Sequence, residues 1–266
     1  MELLSYDFVQ RGIIAGLLVG VSSALAGVFL ILRRMSFLGA GLSHTAFGGI
    51  AISTLLVLEP FLPTALFTIL VANLIQYFSA RKRVPGDVAI ALVFSGGVAL
   101  AVVLLSLSGG FGEHVFGYLF GNILMVSKEE LFLIGVSSLL VAVFFLSFYK
   151  DLVLISFSEE IAKLRGVRIG LINHLLISIS ALVIVLSIKA VGVILASSLL
   201  VIPAMTALIL AGSFFSSLVL SCTFAVAGIL SGLGIAFYYN VPPSGAIVGV
   251  LIGMFSVAFL KRAISS

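Results

Sequence analysis

Charged residues are scarce in this sequence. Of its 266 residues, 9% are charged and 62% are hydrophobic, and the mean hydropathy is +1.36. A water-soluble domain must build a polar exterior from its own residues, and so few charges cannot supply one. The composition excludes a soluble globular protein and indicates an integral membrane protein.

The sequence has a single cysteine and lacks a nucleotide-binding loop. The single cysteine, Cys222, lies within an apolar run and has no partner, which excludes a disulfide framework and predicts a small packing residue. The sequence contains no GxxxxGK[ST] phosphate loop. ATP hydrolysis by this chain is therefore not expected.

Long apolar runs occupy most of the chain. A helix needs about 20 apolar residues to cross the hydrocarbon core of a bilayer, whereas a membrane strand would be only about ten residues long. The runs predict an all-α, polytopic bundle of about nine (eight to nine) transmembrane helices, forming a single domain over residues 1–266. They are 12–32, 37–58, 63–80, 88–108, 131–149, 169–188, 190–211, 214–237 and 244–260.

Basic residues are distributed unequally between the two ends of these runs. When alternate loops are grouped, eleven of the fourteen lysines and arginines fall on one side, and Arg11, Lys128 and Lys189 remain on the other. Basic residues concentrate on the cytoplasmic side of a membrane. This predicts a multi-pass protein of a prokaryotic cell membrane with its N-terminus outside and its C-terminus in the cytoplasm.

Glycines recur at four-residue spacing. On a helix this spacing lines one face with hydrogen atoms and lets a neighbouring backbone approach closely. We expect these stripes to be interior packing seams, with a dimer contact as the alternative for any one of them. They are Gly12, Gly16 and Gly20; Gly228 and Gly232; and Gly245, Gly249 and Gly253.

Two loops differ from the rest. The outside loop 109–130 is too long and too aromatic for a simple turn, so we expect it to lie in the interface or to dip into the membrane. The cytoplasmic loop 151–168 predicts a helix of about two turns, with Ser158 as its N-cap and Gly166 at its stop.

The first turn of this short helix carries Glu159 and Glu160, which suit the positive end of the helix dipole. A helix of this length is not stable by itself in water. Ile161, Ala162 and Leu164 are available for burial, either against the chain's own bundle or the membrane surface, or against a separate cytoplasmic partner.

Several segments together resemble one family, the zinc/manganese/iron permeases of ABC transporters. The matching segments follow the order and spacing of that family over nearly the whole chain, so a chance match is excluded. They are FLILRRMSFLGAGLSHTAFGGIA (29–51), DVAIALVFSGGVALAVVLLS (87–106), YLFGNILMVSKEEL (118–131), FSEEIAKLRGVRIGLIN (157–173), VGVILASSLLVIPAMTALIL (191–210) and PSGAIVGV (243–250).

The resemblance implies the fold of the vitamin B12 and siderophore importers' permeases and a set of partners. These are two cytoplasmic ABC ATPase subunits, an extracytoplasmic metal-binding protein, a second copy of the chain and the surrounding membrane lipid; no nucleic acid is expected. Loop 157–168 resembles the family's coupling helix, which favours docking to the ATPase. The coupling residues implied are Ser158, Glu159, Glu160, Ala162, Leu164, Arg165 and Gly166.

His44 is the first candidate for the metal path. An ionisable residue inside a span costs free energy unless it faces a cavity or finds partners, and imidazole is a ligand for zinc, iron and manganese. The alternative is that Ser43, Thr45 or a backbone carbonyl satisfies the ring by a hydrogen bond.

Relatives often read LGDALSHA, but Ala40 stands here in place of the aspartate. The loss of this oxygen ligand favours zinc over manganese or iron as the transported metal; no permanently bound cofactor is expected.

Other residues are further candidates. Asp87 matches the acidic residue that opens the family's DTAIGI segment, although an acid at a helix N-terminus is also stabilised by the dipole alone. Pro203 should kink or break the seventh span and expose carbonyls, joined by Ser197 and Ser198. Weaker candidates for metal entry are Glu113 and His114, which a solvated loop also explains. We expect His174 to be solvated at the inner interface.

Two rival functions stay open. One is a permease of the same architecture for a metal chelate such as a siderophore or cobalamin, which would need a wider path. The other is a secondary transporter driven by an ion gradient. Such transporters usually need buried carboxylates for the coupling ion, and no acidic residue lies near the middle of any predicted span.

Overall fold

The computed structural model describes residues 6–80, 85–109, 117, 121 and 126–265, and within these ranges it contains helices and no strand. Ten helices can be followed from end to end. They are α1 (Asp7–Leu32), α2 (Leu38–Leu55), α3 (Phe61–Ala80), α4 (Gly86–Leu107), α5 (Lys128–Ser147), α6 (Tyr149–Phe157), α7 (Glu159–Leu164), α8 (Ile169–Leu210), α9 (Phe214–Tyr239) and α10 (Pro243–Ser265).

Seven of the described helices are long and apolar enough to cross a membrane. One of them, α8, has 42 residues and would measure about 60 Å, roughly twice the hydrocarbon thickness of a bilayer. Its backbone leaves the helical conformation at Gly192, with φ 85° and ψ 167°. We therefore treat α8 as two spans, α8a (169–191) and α8b (193–210).

The chain reverses direction at Gly192. In α8a, Ser187 lies beside Ser23 of α1 and Asn173 beside Arg33, so α8a runs antiparallel to α1. In α8b, Leu195 belongs to the same apolar cluster as Val19, and the later residue Leu200 contacts Gly27. Hence α8b runs parallel to α1.

The short α2 completes the count of spans. It packs beside α4 in the same direction, because Gly41 meets Ile90 and Gly48 meets Gly97. With α8 counted as two spans and α2 added, the described helices form nine spans. The fold class predicted from composition and apolar runs is confirmed. The bundle has a Lys189 face, marked by Glu59, Glu130 and Lys189, and an Arg33 face, marked by Arg33, Glu159 and Arg262.

Of the predicted kink or break at Pro203, the break is not found, because the helix continues through this residue. Pro203 is buried inside α8b, and the helical backbone angles continue through it. The reversal lies at Gly192, close to the boundary predicted between the runs 169–188 and 190–211, and it requires a positive φ that glycine adopts without a Cβ clash. Gly121 also packs against the backbone of Val191 and Gly192, so that a side chain at position 121 would have no room.

Most of the glycine stripes are packing seams, but one is not. A Cβ at Gly20 would overlap Ile229, and one at Gly232 would lie 2.5 Å from the Cα of Ile247. In contrast, Cβ atoms on Gly245, Gly249 and Gly253 of α10 would have no atom within 4 Å. That stripe is exposed in this chain, so its assignment as an interior seam is wrong. Cys222 is a half-buried free thiol in α9.

Candidate translocation path and coupling helix

α2 and α4 pack in close contact because glycines remove side chains from both surfaces. A Cβ on Gly97 would lie 2.7 Å from the Cα of Thr45 and 3.0 Å from the carbonyl oxygen of His44. A Cβ on Gly41 would lie 2.6 Å from Cγ2 of Ile90. The backbones of the two spans therefore meet directly at the depth of His44.

A groove of about 460 Å³ opens beside this contact. Asp87 lies in the first turn of α4 and is exposed. Ala40 faces the groove from α2. The groove walls combine one carboxylate with mostly apolar side chains; they are formed by Phe37, Ala40, Gly41, Asp87, Ile90, Ala91, Phe94 and Ser95.

His44 lies at the edge of this groove. It is the seventh residue of α2 and is half-buried, and its ring centroid lies 4.3 Å from that of Phe94. The Thr45 hydroxyl donates to the carbonyl of Gly41 at 2.8 Å, and the buried Ser43 hydroxyl has no hydrogen-bond partner among the described residues. Neither Ser43 nor Thr45 therefore forms a hydrogen bond with the imidazole of His44. The ring instead contacts Phe94.

The serines predicted beside the path lie on α8b. The hydroxyls of Ser197 and Ser198 both donate to the carbonyl of Ile194, at 3.2 Å and 3.0 Å. The Cα of Ser197 lies 3.9 Å from the position of a Cβ on Gly39, so this turn of α8b contacts the start of α2. Both serines are half-buried and direct their hydroxyls back to their own helix.

The candidate side chains do not converge on one point. In the part of the chain that the structure describes, no three His, Cys, Asp or Glu residues are placed to hold a metal ion together. Asp87 lies in the first turn of α4, whereas His44 meets α4 at Phe94 and Gly97, two to three turns further along. The two residues are therefore separated along the groove. Glu113 and His114 lie outside the described residues, as does most of loop 109–130.

α7 on the Arg33 face has both predicted terminal signals. The Ser158 hydroxyl accepts a hydrogen bond from the amide of Ile161 at 3.3 Å. At the other end Gly166 has φ 77° and donates to the carbonyl of Lys163, while Val167 donates to that of Ala162. These two bonds form a Schellman motif, in which glycine supplies the positive φ.

One face of α7 is buried and the other is not. Ala162 is fully buried, whereas Ile161 is half-exposed and Leu164 is 87% exposed. Phe157, just before the N-cap, is 73% exposed. A groove of about 500 Å³ next to the helix includes Arg165 and Phe157. The helix is thus attached to the bundle at Ala162 and leaves apolar side chains uncovered.

Arg33 holds the start of this helix, which the sequence did not suggest. Its Nη2 lies 2.9 Å from Oε1 of Glu159, and its Nη1 donates to Oδ1 of Asn173 on α8a. The Arg33 side chain is only 10% exposed. Burial lowers the pKa of its guanidinium below the ordinary value, and Glu159 opposes that shift.

A second ion-pair cluster lies on the Lys189 face. Nζ of Lys189 lies 2.9 Å from Oε1 of Glu59 and 3.3 Å from Oε1 of Glu130. The second oxygen of each carboxylate accepts from a backbone amide, that of Phe61 for Glu59 and that of Ser127 for Glu130. In the sequence analysis Lys189 serves only as a marker of orientation.

His174 is not simply solvated as predicted. Its Nδ1 lies 2.7 Å from Oδ1 of Asn73 on α3, and Asn73 donates to the Ser178 hydroxyl at 2.8 Å. This cluster connects α3 with α8a. In the sequence the only signal of this cluster is a polar side chain, Asn73, in one apolar run and two, His174 and Ser178, in another. These residues become informative only once the two helices are known to be neighbours.

The described helices form a nine-span bundle with an apolar groove at His44 and a capped, partly uncovered helix on one face, which defines a multi-pass membrane protein. The chain belongs to the ABC 3 transport family, whose model matches residues 5–262. This confirms the family resemblance found in the sequence. The relatives described next are named as membrane or permease proteins of transport systems, not as enzymes.

Two relatives and one solved structure illustrate the similarity. The chain is 31% identical to the manganese transport system membrane protein MntC of Listeria monocytogenes, over 97% of this chain and 92% of that one. It is 32% identical to the manganese import system permease protein ScaB of Streptococcus parasanguinis, over 99% and 97%. The structure of PsaBC from Streptococcus pneumoniae in complex with Fab matches with a TM-score of 0.86 and 32% identity, over 97% and 92%.

Proposed function

We propose that this chain is the permease subunit of an ATP-driven importer of divalent metal ions. The observation that carries the proposal is its similarity, over nearly its full length, to MntC and ScaB, which are named for manganese transport or import. It works with two cytoplasmic ATPase subunits, an extracytoplasmic metal-binding protein and a second copy of itself. The chain supplies the path, and the ATPases supply the energy.

The preferred metal is manganese or zinc. The similarity to named relatives and the residues of the groove point to different metals. The names of the relatives favour manganese. The replacement of an aspartate by Ala40 favours zinc, because manganese prefers oxygen ligands whereas imidazole also suits zinc. We rank manganese first, since Asp87 keeps a carboxylate in the same groove.

The path runs along the groove between α2 and α4. His44 contacts the metal transiently at one end, and Asp87 contacts it nearer the Arg33 face. α8b, which carries Ser197, Ser198 and the buried Pro203, supports α2 at Gly39. Because these ligands are separated, each holds the ion weakly. Weak, successive contacts suit conduction, since an ion must leave each position as readily as it enters.

α7 is the element that meets the ATPase. Leu164 is 87% exposed and Phe157 is 73% exposed, and Arg165 lines the adjacent groove together with Phe157. Uncovered apolar side chains beside a charge are typical of a protein interface. Closure of the ATPase pair pushes α7, and the spans behind it shift between outward-open and inward-open arrangements.

This proposal makes the Arg33 face cytoplasmic. The face collects most of the basic residues of the chain, as the cytoplasmic side of a membrane protein does. The N-terminus is then outside and the C-terminus inside. A cysteine introduced at Glu59 in a Cys222→Ser background tests this: an impermeant maleimide added outside intact cells should label it. Protection there, with labelling only after lysis, contradicts the orientation.

The function is tested in liposomes that contain the chain and its ATPase subunits. We expect ATP-dependent accumulation of ⁵⁴Mn²⁺, and competition by Zn²⁺ ranks the two metals. Uphill accumulation by the chain alone under a proton or sodium gradient would support a secondary transporter instead. Uptake of a metal chelate with no uptake of the free ion would support the chelate permease.

A further inference from the structure

α7 needs an anchor to transmit a push. It has six residues, and a helix of this length has no stability of its own in water. Its terminal bonds connect it only to its own loop. The connection to the bundle consists of the buried Ala162 and the ion pair between Glu159 and Arg33.

Arg33 is fixed at both ends of its side chain. At its base, α1 ends in a Schellman motif: Arg34 donates to Ile31 at 2.9 Å and Met35 donates to Leu30 at 2.8 Å, with Arg34 at φ 59°. A non-glycine residue in this conformation costs about 1 kcal/mol. The backbone of Arg33 is therefore held in one conformation as the chain leaves α1.

At the other end the guanidinium makes two bonds in different directions. One nitrogen pairs with Glu159 at 2.9 Å, and another donates to Asn173 near the start of α8a. The side chain is 10% exposed, so water competes little for these bonds. A planar guanidinium can hold two partners at once, whereas an ammonium acts as a point charge.

The elements joined by Arg33 are the short helix and the two central spans. Among the candidate spans described, α1 and α8 have the largest buried shares, 67% and 78%. A displacement of Glu159 therefore acts first on the spans that contact most of the bundle. The peripheral helices would follow through packing.

We propose that Arg33 is the positioning residue that transmits movement of α7 to α1 and α8a. This inference rests on the proposed function, because it assigns to α7 the contact with the ATPase. Arg33 itself touches neither metal nor nucleotide. Without it α7 still meets the ATPase through Leu164 and Phe157, but less of its displacement is passed to the spans, because the buried Ala162 is then its remaining side-chain attachment to the bundle.

The anchoring is tested first on the full-length chain alone, by hydrogen exchange of amides 161–167. Arg33→Gln and Glu159→Gln should each speed this exchange by about three- to tenfold, and the double variant should be no faster than either single variant. Arg34→Gln is the matched control, since the Arg34 side chain is exposed and has no ion pair among the described residues. Exchange at the wild-type rate in both single variants would overturn the proposal.

Transmission is tested in liposomes with the ATPase, as ⁵⁴Mn²⁺ accumulated per ATP hydrolysed. This ratio should fall about three- to tenfold in Arg33→Gln and in Glu159→Gln, less in Arg33→Lys, and not in Arg34→Gln. Glu159 is mostly exposed, so its variant should fold even if Arg33→Gln does not. An unchanged ratio in Glu159→Gln and Arg33→Lys overturns the proposal. If wild-type liposomes show no ATP-driven uptake, it is the proposed function that fails, and the exchange measurement still decides whether Arg33 anchors α7.

Discussion

Nζ of Lys189 lies 2.9 Å from Oε1 of Glu59. Lys189 is three residues before Gly192, where the chain reverses. Glu130 joins the same ammonium group from the N-terminus of α5. One side chain therefore ties together the ends of three spans, α3, α5 and α8a. The side chain of Lys189 is mostly buried, so these bonds are less weakened by solvent than those of exposed ion pairs.

Replacing Lys189 by Gln should destabilise the chain by about 1–2 kcal/mol, because two charge-assisted bonds are lost while each carboxylate keeps one backbone donor. The measurement is the midpoint of thermal unfolding in detergent. Lys128→Gln is the control, since Lys128 is exposed at the start of α5. Equal midpoints for the two variants would show that the cluster contributes nothing.

His44→Ala should lower metal uptake at unchanged abundance in the membrane, because it removes the imidazole at the edge of the groove. We expect a reduction of about tenfold, equivalent to about 1.4 kcal/mol. Thr54→Val provides a control in the same helix, since the Thr54 hydroxyl bonds only to its own helix at Ile50. Uptake equal to that of the wild type would remove His44 from the path.

Ala40→Asp should raise uptake of Mn²⁺ relative to Zn²⁺ severalfold. An aspartate there lies one helical turn before His44 on the same face and adds a hard oxygen ligand that manganese prefers. Ala91→Asp is the matched control, because Ala91 lines the same groove from α4. If both variants change the ratio of the two metals equally, charge in the groove decides selectivity and the pairing with His44 does not.

Gly27→Ala should prevent stable folding. Its Cβ would overlap the carbonyl oxygen of Leu200 and lie 2.9 Å from that residue's carbonyl carbon, and a backbone cannot move aside as a flexible side chain can. Overpacking of this kind costs about 1–3 kcal/mol or more. Gly234→Ala, where a Cβ meets no atom within 4 Å, should be tolerated. Normal yield and thermal stability of Gly27→Ala would contradict the contact between α1 and α8b.

Gly166→Ala should loosen α7 without disturbing the spans. Gly166 has φ 77° and open space around it, so the cost is conformational, about 1 kcal/mol. Hydrogen exchange of amides 161–167 should rise about fivefold, with little change in α1 or α8. Gly170→Ala, which also meets open space but has an ordinary φ, should not alter exchange. Equal exchange rates of amides 161–167 in the two variants would show that the positive φ of Gly166 does not stabilise α7.

The local features of α7 could be predicted because they depend on residues within one or two turns. A serine before two glutamates and a glycine after the last turn specify a cap and a stop wherever the segment lies. The site on α2 was predictable only in part. His44 was found because an imidazole in an apolar run is unusual, but its contact with Phe94 depends on the packing of α4.

The sequence by itself determined that this protein lies in a membrane as a bundle of about nine helices, because apolar content and run length decide the preferred solvent of each segment. It also determined the family, through segments that keep their order along the chain. Only the tertiary structure decided that the helix continues through Pro203 and that the glycine stripe of α10 stays exposed. It alone paired Arg33 with Glu159 and Lys189 with Glu59. These partners are more than a hundred residues apart, so their contact depends on which helix faces meet in the folded bundle and leaves no signal in the neighbouring sequence.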